Sequence, residues 1–128
     1  MRVTGLPPYD PANIFARILR GEIPCRKVGE NDHALAFHDI NPQTPVHVLV
    51  IPKGAYVSVA DFSAQASEAE IAGFWRLAGQ VAKELGLEAS GYRILSNMGE
   101  DGGQEVPHFH LHIFGGRRIG RMVPRAEA

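Results

Sequence analysis

The stretch HFHLHIFGG, residues 108–116, sets His108, His110 and His112 at every second position, with Phe109, Leu111 and Ile113 between and after them. Three of the six histidines in the chain fall within five residues, which is more order than scattered structural histidines show. Successive side chains on a β-strand point to opposite faces, so a strand over 107–114 puts the three imidazoles on one face and the three apolar residues on the other. The apolar set then anchors the register, because a slip of one residue would bury the imidazoles and expose the anchors. A lone histidine on a strand is most simply a half-buried structural residue. Three in strict alternation point instead to a metal site or to an anion site that performs nucleophilic and acid/base chemistry.

The flanking sequence favours the anion. Immediately upstream, NMGEDGGQEVP (97–107) carries Gly99, Gly102 and Gly103. By itself this reads as a wide turn between strands; placed before the histidines, it can also bring backbone amides close to a phosphate. The loop contributes no Cys or His, so phosphate fits it better than a metal ion.

Further out, ALAFHD (34–39), HVLVIPK (47–53) and GYRILSN (91–97) are strand-like runs separated by turn formers such as NPQTP and GEDGG. Between the second and third runs, Ile71, Phe74, Trp75, Ala78, Val81, Ala82 and Leu85 recur at helical spacing. Ser67 with Glu70 forms a capping box at the start of this helix and Gly86 caps its end. A shorter amphipathic helix spans Ala12 to Arg20, with Ile14, Phe15, Ile18 and Leu19 on its apolar side and Gly21 as its stop. The order predicts an α+β fold: a largely antiparallel sheet of about five strands, one long helix covering one face, and one short N-terminal helix. Residues 1–11, rich in proline, read as an irregular lead-in, 12–116 as the domain and 117–128 as a tail.

With 128 residues and 45% hydrophobic composition, the chain has the size and the apolar content for one domain with a real core. Thirteen Lys and Arg against fourteen Asp and Glu leave a net charge of −1, which argues against long nucleic acids and anionic membranes as partners. Cys25 stands alone, so neither a disulfide nor a CxxC metal knuckle is expected. No run has the length of a signal peptide or of a membrane span, and the expected location is the cytoplasm.

HFHLHIF resembles the signature of the histidine triad superfamily of nucleotide hydrolases and transferases. NIFARILRGEIP (13–24), LAFHDINPQTPVHVLVIPK (35–53) and GYRILSNMGEDGGQ (91–104) are similar to segments of its nucleotide-binding branch, in the same order. The resemblance implies that His110 is the nucleophile on an α-phosphorus and carries a transient nucleotidyl group, with its other nitrogen protonated and held by a nearby backbone carbonyl. It implies that His108 and His112 flank it, His112 donating to phosphate oxygens, and that His47 completes a proton relay. Asp39 becomes the ligand of the ribose hydroxyls. Ile14, Phe15, Ile18, Phe37 and Ile40 form an apolar clamp on the base, while Asn97 and the Gly103–Gln104 backbone contact phosphate and leaving group. His33 and His38 read as structural.

The activity implied is cleavage of purine nucleoside 5'-phosphoramidates or related AMP conjugates by a homodimer, with Trp75 on the long helix available to the subunit interface and no cofactor. Three departures qualify this. Asn13 and Ala16 stand where some branches have a zinc-binding Cys pair, so no metal is expected. Glu105 stands where some relatives have a serine near the leaving group, and a carboxylate there suits cationic amines. The tail RRIGRMVPRAEA lacks the Trp-Pro-Pro ending of certain relatives. Alternatives are a dinucleoside polyphosphate hydrolase, a nucleotide-binding module with little turnover, and a metal-binding protein using the HxHxH row.

Overall fold

The computed structural model describes residues 3–125; residues 1–2 and 126–128, the far ends of the lead-in and the tail, lie outside the described residues. The elements, in chain order, are α1 (Ile14–Leu19), β1 (Lys27–Glu30), β2 (Ala34–His38), β3 (Val46–Pro52), α2 (Val59–Gln65), α3 (Glu68–Glu84), β4 (Arg93–Leu95), α4 (Gly99–Gly102) and β5 (Leu111–Gly115). The five strands form one antiparallel sheet in the order β1-β2-β3-β5-β4. This is the α+β architecture expected, with α2, α4 and the edge strand β1 in addition to the elements read from the sequence.

The two faces of the sheet do different work. Ala34 and Ala36 of β2, Val48 and Val50 of β3, and Leu111 and Ile113 of β5 pack with Phe74, Leu77, Ala78, Val81 and Ala82 of α3 in the main core. The alternate residues Leu35, Phe37, Leu49 and Ile51 face the other way and pack with Phe15 of α1 in a second, smaller core. The sheet is therefore covered on part of its second face as well, and the strands carry near-continuous apolar runs. No helix among the described residues is long and apolar enough to cross a membrane.

The caps of α3 follow the sequence closely. Ser67 accepts from the Glu70 amide while the Glu70 carboxylate accepts from the Ser67 amide. At the other end Gly86 takes φ +76°, and the amides of Gly86 and Leu87 donate back to Lys83 and Ala82. These paired bonds satisfy carbonyls the helix would otherwise leave open, and the left-handed residue that permits them is a glycine because a Cβ would be strained there.

The strand expected over 107–114 begins only at Leu111. Pairing with β3 runs from Val46↔Gly115 to Val50↔Leu111 and stops. Residues 108–110 leave the ladder: the Phe109 amide donates to the Tyr56 carbonyl at 2.8 Å, and the His110 carbonyl accepts from Ser96 Oγ at 2.7 Å. Side-chain alternation nevertheless persists, because Phe109 stacks with Phe62 and Phe74 at centroid distances of 4.8 and 5.0 Å and so stays on the α3 face. Each such aromatic pair contributes about 1 kcal/mol beyond its burial.

The described part of the lead-in has no regular secondary structure, and it is docked on the domain. Ser58, fully buried, donates through Oγ to the Gly5 carbonyl at 2.6 Å. Gly5 has φ +76°, and a Cβ there would stand 2.8 Å from the Gly99 nitrogen, so only glycine lets the backbone lie this close to α4.

Candidate functional site

The second face of the sheet opens into a cavity of about 600 Å³, within the range of small-molecule sites. Its floor is the stretch where β3 and β5 pair: His47 lies opposite Phe114 and Leu49 opposite His112. The turn after β2 brings Asp39 and Ile40 to one side, α1 brings Ile14, Phe15 and Ile18 to another, and Asn97, Gly103 and Glu105 close the third.

Four histidines meet beside or beneath this cavity, and their hydrogen bonds assign the proton on each ring. The Gln43 backbone amide can only donate, and it lies 3.1 Å from His47 Nδ1, so that nitrogen is the acceptor and Nε2 carries the hydrogen. His47 Nε2 is 2.9 Å from His112 Nδ1 and 3.5 Å from Asp39 Oδ2. His112 Nδ1 therefore accepts, which places the hydrogen of neutral His112 on Nε2, the nitrogen left for the cavity. His110 Nδ1 is 2.7 Å from the His108 carbonyl, an acceptor, so Nδ1 is the protonated nitrogen and Nε2 holds a lone pair. His108 Nε2 donates to the Pro52 carbonyl at 2.9 Å, and its Nδ1 accepts from the Tyr9 hydroxyl at 2.6 Å. Three of the four tautomers are fixed directly by backbone groups, and that of His112 follows from its bond to His47.

All four rings are held neutral at pH 7. Burial pushes His108 down to about 4, with the neighbouring His110 as a smaller cause and the Pro52 carbonyl opposing. Burial also pushes His112 to about 4, helped by His110 and His47 and opposed by Asp39. Burial lowers His110 and His47 in the same direction, against the bond to the His108 carbonyl in the first case and the Asp39 carboxylate in the second. Ring stacking adds order: His112 lies parallel to Phe114 at 5.5 Å, and Phe15 meets His110 edge-on at 4.9 Å.

Of the residues read from the sequence, His110, His112, His47, Asp39, Asn97, Gly103, Glu105, Ile14, Phe15, Ile18, Phe37 and Ile40 all line the cavity. Ile40 does so at the rim, 92% exposed, rather than as one jaw of a closed clamp. Two residues stand elsewhere. His108 does not line the cavity; it is fully buried behind His110, with both ring nitrogens engaged. Gln104 is buried, its side chain bridging the Gly99 amide and the Val57 and Val106 carbonyls, and its own amide donates to the Gly99 carbonyl. Its backbone donor is thus spent inside the loop, as is that of Gly103, which donates to Glu100. The glycine-rich segment is a single helical turn closed on itself rather than a wide turn with amides turned outward.

Sequence reasoning also missed cavity residues. His38, left as structural, lines the cavity, as do Cys25, Gln43, Leu49 and Phe114. Phe114 and Leu49 were findable, because each lies two residues beyond a site histidine on the same strand face. No local signal announces Gln43, whose role is a backbone amide aimed at a ring nitrogen.

A metal held by all three histidines of the HxHxH row does not fit, since both ring nitrogens of His108 are engaged by Tyr9 and the Pro52 carbonyl. The one group of potential ligands among the described residues is Asp39, His47 and His112, with donor atoms within 4.8 Å of one another. There the His47–His112 contact is a filled hydrogen bond, so a cation would have to displace the proton between them.

A family model described as the HIT domain matches residues 20–119. The chain belongs to the HIT family. A HIT-like protein of Azospirillum brasilense is 68% identical to it over 117 residues, covering 91% of this chain and 96% of that one. A protein of Escherichia coli named purine nucleoside phosphoramidase is 41% identical over 110 residues, covering 86% of this chain and 92% of that one. Among solved structures, a HIT family hydrolase of Legionella pneumophila superposes with a TM-score of 0.77 at 42% identity, covering 84% of this chain and 95% of that one. This HIT protein thus shares its fold with that solved structure.

The neutral, buried imidazoles make stability depend on pH. Unfolded histidines take up protons near 6.5 while native His108 does so only near 4, so the unfolded chain binds more protons between these values. Stability should be flat between about pH 7 and 8 and fall as pH drops below 6.5, by about 2 kcal/mol from His108 alone at pH 5. Glu30, lowered to about 2, and Glu70, also lowered, release their contribution only below about 4.5, so the range from 6.5 to 5 isolates the imidazoles. Urea unfolding at pH 7.5 and 5.0 checks this; equal midpoints would contradict four native neutral rings.

Proposed function

We propose that this HIT protein hydrolyses nucleoside 5'-phosphoramidates or related AMP conjugates through a nucleotidyl group carried on His110. The observation that carries the reading is the tautomer of His110: Nδ1–H is pinned on the His108 carbonyl, which leaves Nε2 an unprotonated nucleophile. Burial holds the ring below its usual value, so this form dominates at neutral pH.

In this reading His110 Nε2 attacks the α-phosphorus and the P–N bond to the amine breaks, giving a P–N bond to the imidazole. His112 Nε2–H donates to a phosphoryl oxygen as charge develops there, oriented through its Nδ1 by His47. The departing amine takes a proton from solvent. Water then attacks phosphorus, releases AMP and gives up a proton, and His110 returns to its starting tautomer. Asp39 Oδ1 already accepts from the Asn41 amide at 2.8 Å, which fixes the carboxylate beside the space for a ribose. Phe15, Phe37 and Ile18 supply the apolar end for a purine. The E. coli relative named a purine nucleoside phosphoramidase supports the same class of substrate.

His110→Ala should lower turnover of an adenosine phosphoramidate by at least about a thousandfold while AMP binding stays within a few fold. Single-turnover kinetics and calorimetry measure the two, and retained turnover would reject the nucleophile.

Glu105, exposed at the cavity edge on the side of Asn97, gives the leaving-group end a carboxylate. Lysyl conjugates should be cleaved faster than neutral-amine conjugates, and Glu105→Ser should shrink that preference by about three- to tenfold. Equal rates for both substrates in both proteins would retire the idea.

The Asp39, His47 and His112 group motivates the competing reading of a metal protein. Prolonged dialysis against EDTA should leave turnover within about 20% of its starting value, since the scheme draws only on ring nitrogens and solvent. Loss of activity restored by stoichiometric zinc would favour the metal.

A further inference from the structure

We propose that Tyr9, in the lead-in before α1, is a positioning residue that holds the reactive tautomer of His110 by clamping His108 from behind. Residues 1–19 lie outside the matched family model, and the contact joins residues 99 apart in the chain. The proposal rests on His110 being the nucleophile; its first readout does not.

The chain of contacts is short. Tyr9 donates its hydroxyl hydrogen to His108 Nδ1 at 2.6 Å and meets the ring edge-on at 5.5 Å. The opposite nitrogen of His108 is held by the Pro52 carbonyl at 2.9 Å, and Phe15 lies edge-on to the same ring at 6.3 Å. With both nitrogens engaged and no exposure, this imidazole has one orientation available. The backbone of the same residue presents the carbonyl that accepts from His110 Nδ1 at 2.7 Å. Residues 108–110 lie outside the β3–β5 ladder, so this carbonyl is not steadied by strand pairing. The peptide is held instead by the Phe109 amide's bond to the Tyr56 carbonyl and by the His108 side chain, whose one side-chain hydrogen-bond partner among the described residues is Tyr9.

Tyr9 is itself anchored at both ends of its segment. Four residues upstream, the Gly5 carbonyl accepts from buried Ser58. Downstream, the Asn13 amide and side chain both donate to the Asp10 carbonyl, the Ala12 amide donates to Asp10 Oδ1, and the Asn13 side chain caps α1. The segment is a strap whose fixed points lie on α1 and on the α2 cap, with the phenol between them. Neither Tyr9 nor His108 lines the cavity, so the phenol acts on the site through His108 alone.

The variant that isolates the hydroxyl is Tyr9→Phe. In ¹⁵N-histidine spectra of the free protein, wild-type His110 should show a single neutral form protonated at Nδ1, and Tyr9→Phe should convert it to a mixture of tautomers. The kcat/KM for an adenosine phosphoramidate should fall about tenfold, while AMP affinity stays within about twofold, because binding groups are untouched. A weaker bond to the His108 carbonyl removes support for the charged ring, so the acid limb of the kcat/KM profile should move to lower pH. The charges that also face His110, Asp39 and Glu105, are the same in both proteins. Should Tyr9→Phe not fold, 3-fluorotyrosine placed at position 9 keeps the hydroxyl and changes its donor strength, and the His108 and His110 resonances should then move together. Unchanged His110 signals and an unchanged acid limb in Tyr9→Phe, or a His108 shift in the fluorinated protein with none at His110, would overturn the proposal. A tautomer shift in a protein that cleaves no phosphoramidate would keep the strap and remove the hydrolytic reading.

Discussion

The arrangement depends on one constraint: backbone groups decide where the proton sits on buried imidazoles. The Gln43 amide, the Pro52 carbonyl and the His108 carbonyl each address one ring nitrogen, and from these three contacts and the His47–His112 bond every tautomer in the group follows. Backbone groups do not titrate near neutral pH, so the assignment does not drift with pH. Burial completes it by disfavouring the charged form of each ring. What emerges is a pair of adjacent nitrogens of opposite character, a lone pair on His110 and a hydrogen on His112, from residues that in solution would be interchangeable.

Much of the fold was legible because it follows from periodicity. The long helix announced itself through its apolar spacing and its capping box, and β2 and β3 through short apolar runs bounded by turn formers. The short α2, whose N-cap Ser58 is buried, and the single turn α4 carry too few residues to establish a period. The edge strand KVGE (27–30) is missed for a related reason: two charges, a glycine and one valine show no alternation, as suits a strand that has one neighbour. The early end of β5 is instructive in another way. Alternation of side chains is a property of extended chain, whereas a ladder needs a partner backbone, and sequence reports only the first.

The candidate site divides along the same line. Residues that face the cavity could be assigned from strand parity and from resemblance, and nearly all of them line it. His108 and Gln104 were placed one layer too close, because parity tells which face a side chain takes and not whether another layer of protein lies in front of it. Contacts between distant segments were out of reach altogether. Nothing local in TGLPPYDP indicates that a phenol from that segment meets an imidazole 99 residues later.

Phe109 sits between two histidines in sequence and inside the aromatic cluster with Phe62 and Phe74 in space. The peptide that displays the histidine rings is consequently the same one that the hydrophobic interior grips. Drift in the packing beneath α3 is therefore felt at the imidazoles as a change of aim, and change in their placement is confined to substitutions that the interior tolerates. Core packing and the placement of the rings are, in this protein, two traits inherited through a single pentapeptide.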